Sequence, residues 1–370
     1  MPDVLLTVSG AIAPDLAEQI ARGARPRADY LELARAFGAD LLDYPSARRS
    51  AGLIGRLLDR IGGPDLVLAW GCFQRRNSYR VIFTDGEQIG LPLAWMSKFL
   101  GWGRRRAQHL MIVHILSVKK KMLLLDYFRL QSQIDRFLVY SSWQKRFIES
   151  RWRVANDRVV FTPFMVDTGF FAPERVAPRR GARPLLCSVG LEARDYPTLL
   201  RAVERLPADV VIAAASPWSK RADNTAGQAL PANVTVRRFS QYELRQLYAD
   251  CAFMVMPLQN VEFQAGVTAI LEAMAMGRAV ICSRTPGQTD VVIDGETGIY
   301  VPPGDAQALR EAIEYLLANP DVAERMGQAG RRRIEQSMSL DRYVERLGQL
   351  VRAESEHATS ALEHGRVSRY

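Results

Sequence analysis

A chain of 370 residues, 48% of them hydrophobic, is too long for one compact core and too apolar for disorder, so two domains are expected. Its 49 basic and 40 acidic residues leave a net charge of +9, and the excess is confined to residues 1–180, with 28 Lys and Arg against 17 Asp and Glu; residues 181–370 hold 21 against 23. Cys72, Cys187, Cys251 and Cys282 stand far apart with no Cys-x-x-Cys pair, which argues against a disulfide framework or a zinc knuckle.

The N-terminal MPDVLLTVSGA has an acid at Asp3 and no basic lead-in, so it reads as a first strand and not as a signal peptide. From there short apolar runs alternate with longer helical stretches, the pattern of parallel sheets covered on both faces. In the first half the runs are 4–8, 80–84, 110–113, 137–140 and 159–162. The first opens into Ser9-Gly10 and a helix through Arg22, and the second ends in Asp85-Gly86-Glu87. The third ends at His114, with a helix from near Ser117. Ser141, with Gln144 three residues on, is a capping-box signature for the next helix. Residues 167–184, with three prolines and an Arg179-Arg180-Gly181 turn, read as a connection. The rhythm then restarts with strands expected at 185–189, 210–215, 234–236, 253–256, 279–282 and 298–301. Asp305 is a good N-cap for a helix carrying Leu309, Ile313, Leu316 and Leu317 on one face, and a final helix is expected from 340 to about 351, followed by a loose tail.

The fold class expected is α/β, with two Rossmann-like, doubly wound parallel-sheet domains facing across a cleft. Residues 1–166 form the first domain, 167–183 the linker and 184–338 the second, with 339–370 a C-terminal helix and tail packing back on the first. Ligands of such sheets bind at the carboxyl ends of the strands. With no uninterrupted apolar stretch of about 18 residues, nothing is expected to span a membrane, and the cytoplasm is the expected compartment.

The richest stretch is 260–277, NVEFQAGVTAILEAMAMG. A strand ends before it, a polar loop follows, and a helix opens around Gly266, Val267 and Thr268. Free N–H groups and the positive end of the helix dipole there suit a diphosphate. Glu272, an acid within an apolar helix, is placed to accept hydrogen bonds from a ribose diol; taken alone, it reads as a surface glutamate. The wider span, through Asp294-Gly295-Glu296-Thr297-Gly298 and Val301-Pro302-Pro303-Gly304-Asp305, resembles the family 4 glycosyltransferases of the GT-B fold, whose donor domain carries Glu-x7-Glu followed by Ala-Met-Ala. Pro163-Phe164-Met165-Val166-Asp167 stands where that family has its domain junction. The resemblance covers about residues 136–334.

It implies a metal-independent, retaining transfer from a nucleotide-diphosphate sugar, with no other cofactor. By the same resemblance, Glu272 holds the donor ribose and the amides of Val267 and Thr268 hold the diphosphate. The first glutamate of the motif is here Gln264, an amide that hydrogen-bonds sugar hydroxyls but serves neither as base nor as nucleophile. Glu262, two residues earlier, is the carboxylate that would stand in for it. The family's basic partners of the diphosphate fall on Arg194 and, more weakly, Lys220, and Arg238 with Phe239 follow the strand near the family's base pocket. Ser9-Gly10-Ala11 is a reduced form of the family's N-terminal glycine loop, which brings Gly10 to the donor. His114 is the residue expected to orient the donor sugar, while Asp85 and Glu87 share its strand-end position and are expected to grip acceptor hydroxyls.

Between Arg104 and Lys121 six basic residues (Arg104, Arg105, Arg106, Lys119, Lys120 and Lys121) stand without an acid, followed by Met122-Leu123-Leu124-Leu125, Tyr127 and Phe128. Such a segment suits an anionic membrane surface, and equally a solvated helix with core leucines. A glycan, lipid-linked or small-molecule acceptor is therefore expected. Nucleic acid is not, for want of any recognition module. No Asp-x-Asp triplet occurs, in keeping with a site that uses no metal. Two rivals remain: a nucleotide-sugar epimerase or hydrolase on the same scaffold, and a non-catalytic membrane-surface protein.

Overall fold

In the computed structural model, which describes residues 3–101, 107–179, 181–214 and 230–367 (side chains to residue 356), every residue of Val4–Val8 is buried, and this run is β1. The strands that follow are β2 (Asp40–Asp43), β3 (Val81–Thr84), β4 (Gln108–Val113), β5 (Arg136–Val139) and β6 (Val159–Phe161). All pair in parallel, in the order β2-β1-β3-β4-β5-β6. Leu6 lies beside Phe83 and Phe83 beside Leu110, and every residue of β3 and all but the first of β4 are buried, as in strands covered on both faces. A second sheet is made of β7 (Leu185–Val189), β8 (Asp209–Ala213), β9 (Val234–Arg237), β10 (Phe253–Met256), β11 (Val280–Ser283) and β12 (Gly298–Val301). It too is wholly parallel, ordered β12-β11-β10-β7-β8-β9. Two doubly wound α/β sheets are the expected architecture.

Strand β2 was not expected. Its sequence, Asp-Leu-Leu-Asp, offers only two apolar residues, and an edge strand needs no more, because only one side of it is paired. Asp43 closes it by capping the helix Tyr44–Ser50, accepting from the Ser46 amide at 2.9 Å. The cap expected at Ser141 is formed on the amide of Gln144 at 3.2 Å, and Asp305 accepts from the amides of Gln307 and Ala308.

The chain divides into two compact units: residues 1–16, 28–162 and 344–370 form one, and 17–27 with 163–343 form the other. Each has its own apolar core. The stretch expected as a linker is thus part of the second unit. Its prolines signal a connection, but Phe170 and Phe171 bury themselves in that unit's core, and Arg27 clamps Asp167 through its backbone amide (2.8 Å) and guanidinium (3.1 Å). The final helix, Leu340–Val367, runs well past residue 351, where a loose tail was expected. Val351 and Glu354 are buried, and Glu354 pairs with Arg136 at 2.8 Å, which gives this turn a reason to stay helical.

Candidate functional site

In the second unit the chemistry gathers where β10 ends. The chain leaves Met256, crosses a loop and enters the helix Val267–Ala275 through Gly266, whose φ of 77° lies in the left-handed region. A Cβ there would approach the Met256 sulfur to 2.8 Å, so glycine is required for backbone and space alike. The turn leaves the first N–H groups of the helix, those of Val267 and the exposed Thr268, at its open end. At the other end Arg331 donates to the carbonyl of Ala275, complementing the helix dipole.

Arg194 is buried beside this helix start. Its Nε donates to the carbonyl of Val189 at 2.8 Å and one terminal nitrogen to that of Glu192 at 2.6 Å, and no carboxylate pairs with it among the described residues. A Cβ on Gly190 would run into the guanidinium, and one on Gly266 would come within 3.3 Å of it. The absence of both side chains therefore brings the cation against the helix N-terminus. Desolvation pulls its pKa down, the mark of a buried cation lacking a counter-ion.

Gln264 lies just before this turn. Both polar atoms of its amide are buried and neither has a hydrogen-bond partner. Such a group carries the full desolvation cost until a ligand supplies the bonds. Gln288 holds the loop in place, its Nε2 donating to the carbonyl of Ala265 at 2.8 Å. Gly287 permits close approach: a Cβ there would lie 2.6 Å from the carbonyl oxygen of Glu262. Glu262 itself is exposed.

Glu272 is buried, which removes the surface reading. Tyr248 donates to it at 2.8 Å, and desolvation raises its carboxyl to about 7 despite that bond. The Tyr248 hydroxyl is in turn pushed up, by burial first and by Glu272 next. Nothing in the spacing of the sequence pairs these two residues. Arg238 is exposed, and Phe239 is half-buried under the guanidinium of Arg237 at 5.2 Å. Lys220 lies outside the described residues, as do Arg104, Arg105 and Arg106.

In the first unit the strand ends bring together Gly10, Asp85, Glu87 and His114. Asp85 accepts from the Thr7 hydroxyl and the Ser9 amide, so it ties the end of β3 to the loop after β1. Gly10 follows, with open space where a side chain would stand. His114 is exposed at the end of β4, its Nε2 3.0 Å from the carbonyl oxygen of Asp85 and its ring 5.6 Å from that of Tyr140. Glu87 is buried. It accepts from the amides of His114 (2.9 Å) and Ile115 (3.1 Å) and from Lys121 Nζ (2.6 Å). Burial opposes its ionisation, but His114 and Lys121 outweigh it and hold the carboxyl below its usual range. Its oxygens thus shape the His114 loop, a different task from the acceptor grip expected of it. Asp29 was overlooked, being the ordinary acidic first residue of a helix (Asp29–Phe37). Desolvation, with Asp85 nearby, pushes its carboxyl up, and Asp85 is raised by burial as well. His109 is a core histidine, 3.0 Å from the Thr84 hydroxyl.

Comparison with known proteins follows this geometry. Residues 179–333 match the family model described as "Glycosyl transferases group 1". The O-antigen chain mannosyltransferase C of Escherichia coli is 30% identical over 149 residues, 40% of each chain. The lipopolysaccharide core biosynthesis glycosyltransferase LpsE of Rhizobium meliloti is 32% identical over 157 residues, 40% of this chain and 43% of that one. The chain thus spans less than half the length of these curated relatives. Among solved structures, sucrose-phosphate synthase of Thermosynechococcus elongatus superposes with a TM-score of 0.69 at 18% identity, over 95% of this chain and 98% of that one. HepE of Anabaena, in complex with UDP-glucose, gives 0.67 at 12% identity over 95% and 99%. At such identities these two likenesses speak for the fold alone.

Proposed function

Because residues 179–333 match the model of the group 1 glycosyl transferases, we propose that the chain is a glycosyltransferase of family 4 that moves a sugar from a nucleotide-diphosphate donor to an acceptor hydroxyl, with retention of configuration and without a metal. The observation that carries the reading is the conjunction at the end of β10: an open helix N-terminus, a buried guanidinium with no carboxylate partner, and an orphaned amide one turn away. A diphosphate at the amides of Val267 and Thr268 supplies the negative charge that Arg194 lacks. As the bond from the anomeric carbon to the diphosphate oxygen lengthens, charge grows on that oxygen. Helix dipole and guanidinium then stabilise it more than they stabilised the ground state. This is the work a metal ion does in other transferases.

Gln264 satisfies its two orphaned atoms on sugar hydroxyls and so orients the ring, and Glu262 remains as an outer contact of the sugar. Glu272, ionised, accepts from the ribose diol, and Arg238 with Phe239 borders the base. In the first unit, Asp85 contributes to the acceptor side, His114 and Gly10 stand at the same strand ends, and Glu87 sets the His114 loop. The acceptor is a glycan or lipid-linked hydroxyl at the cytoplasmic face of an anionic membrane. Relatives named for O-antigen and lipopolysaccharide core synthesis, and the basic balance of the first half, support that class.

Calorimetric titration with UDP, GDP, ADP and dTDP, on the natural chain and on Glu272→Ala, tests the donor site. Tight binding of one nucleotide, lost with Glu272, is expected. Binding of none overturns the site and favours the non-catalytic rival. Donor turnover without any acceptor dependence favours the hydrolase or epimerase.

A further inference from the structure

Apart from Phe161 on β6, the exposed large apolar side chains of the first unit gather on three helices. Of the fifteen large apolar side chains left exposed among the described residues, eleven lie on the helices Gly52–Arg75, Glu87–Leu100 and Lys119–Phe128 or at the cap of the last. These helices connect β2 to β3, β3 to β4 and β4 to β5, steps that all run in the same direction across the sheet. Right-handed crossovers therefore place them in one layer on one face. The inner side of the layer is core: Leu68, Ile89 and Leu93 share one cluster, and Leu91 and Leu125 another.

Its outer side does not look like a solvated helix face. Leu53, Ile54, Leu57 and Ile61 are 82%, 56%, 57% and 72% exposed, and at 100° per residue they fall within about a quarter-turn of one another. Gly55, under Trp70, and Leu58 face the body instead. The apolar stripe ends at Gly63, where the helix breaks at a φ of 70°, and the half that follows is buried. On the next helix Trp95 and Phe99 meet at 5.3 Å with their rings tilted by 47°, and Phe99 meets Phe128 edge-on at 5.9 Å, linking it to the third, where Leu123 and Tyr127 are also exposed.

Charge identifies the occupant. Arg56, Arg60, Lys119 and Lys120 stand exposed on the same helices with no carboxylate partner among the described residues, whereas Asp59 and Asp126 are neutralised by Arg48 (2.9 Å) and Arg151 (2.6 Å). The layer therefore offers aliphatic and aromatic side chains with net positive charge, the composition that inserts into the headgroup region of an anionic bilayer. We infer that this outer layer, led by the stripe on residues 52–62, is the surface on which the protein docks to anionic lipid. The inference deepens the membrane part of the reading above and rests on it, while being independent of donor chemistry.

Co-sedimentation of the full chain with vesicles of phosphatidylcholine, and of phosphatidylcholine mixed with phosphatidylglycerol, tests it. Binding to the anionic vesicles alone is expected. Lys119→Gln/Lys120→Gln should lower the partition about 30-fold, at ~1 kcal/mol per lysine. Leu53→Ser/Ile61→Ser, at fully exposed positions, should lower it about tenfold or more. Nucleotide titration of the same samples reports separately on the donor site and on folding. Binding to neither vesicle, equal binding to both, or anionic binding unchanged in the two variants overturns the inference. A concentration-dependent dimer abolished by Leu53→Ser/Ile61→Ser, without vesicle binding, would assign the stripe to contact between copies and overturn it too.

Discussion

Glu272 illustrates how one buried carboxyl links stability to function. Its pKa is about 7 in the fold and near 4.5 in the unfolded chain, so between those values the folded state holds a proton that the unfolded state has lost. Stability therefore falls as pH rises through this window. The penalty is absent below about 4.5 and complete above about 7, on the order of 3 kcal/mol. Glu272→Gln, neutral throughout, should flatten that slope in urea melts taken across the window; an unchanged slope would assign it to another group. A ribose diol needs the ionised form as acceptor, so nucleotide affinity should move in the opposite sense, tightening as pH rises through about 7 in the natural chain and staying level in Glu272→Gln. Calorimetry at the two ends of the range checks this. For Gln264 the expectation is different: Gln264→Leu removes an unpaired polar group, so stability should hold or rise while sugar-dependent binding is lost and nucleotide binding is kept.

The turn into the helix Val267–Ala275 shows what a single conformational requirement achieves. Gly266 permits both the left-handed turn and the approach of Arg194 to the helix start. Gly266→Ala imposes a left-handed alanine and a contact on the Met256 sulfur. It should cost about 1–3 kcal/mol of stability, read from the shift in melting temperature. It should also weaken diphosphate binding beyond that, by displacing the amides of Val267 and Thr268. An equal loss at Gly277→Ala, also left-handed but with open space around it, would reduce the effect to backbone strain alone.

Segments distant in sequence are joined by few, identifiable contacts. Residues 17–27 belong to the second unit because Arg27 donates to Asp167, which is buried, and to Asp341 at 2.8 Å. Removing the guanidinium leaves Asp167 with backbone donors only, so Arg27→Ala should cost about 1–3 kcal/mol. Arg27 holds the Asp341 carboxyl below its usual range. That contribution is present above the unfolded carboxylate pKa and is lost as pH falls through the folded one. Acid should therefore narrow the gap between natural chain and variant in denaturant melts. Because each unit has its own core, differential scanning calorimetry with saturating nucleotide should raise the transition of the second unit only, by about 2.7 kcal/mol at a hundredfold excess over Kd.

How much of this was readable in advance follows from the range of the interactions. Strands β1 and β3 to β12 declare themselves as apolar runs, and Ser141, Asp305 and Gly266 as local cap and turn chemistry, because burial and capping act over a few residues. The residues that gather where β10 ends were legible as a motif at fixed spacing. Other features arise only when distant residues meet. Burial turns Glu272, a presumed surface acid, into a group titrating near 7 with Tyr248 as its donor, and Lys121 on Glu87 turns an expected ligand into a support for the His114 loop. Phe170 and Phe171 draw a proline-marked connection into a core. The apolar stripe on residues 52–62 has the same helical period as a core-facing stripe, and periodicity carries no record of which side the rest of the chain covers. Propensity and pattern are properties of neighbours along the chain. Burial, desolvation and charge pairing belong to neighbours in space, and these make the difference between an apolar helix face and a docking surface.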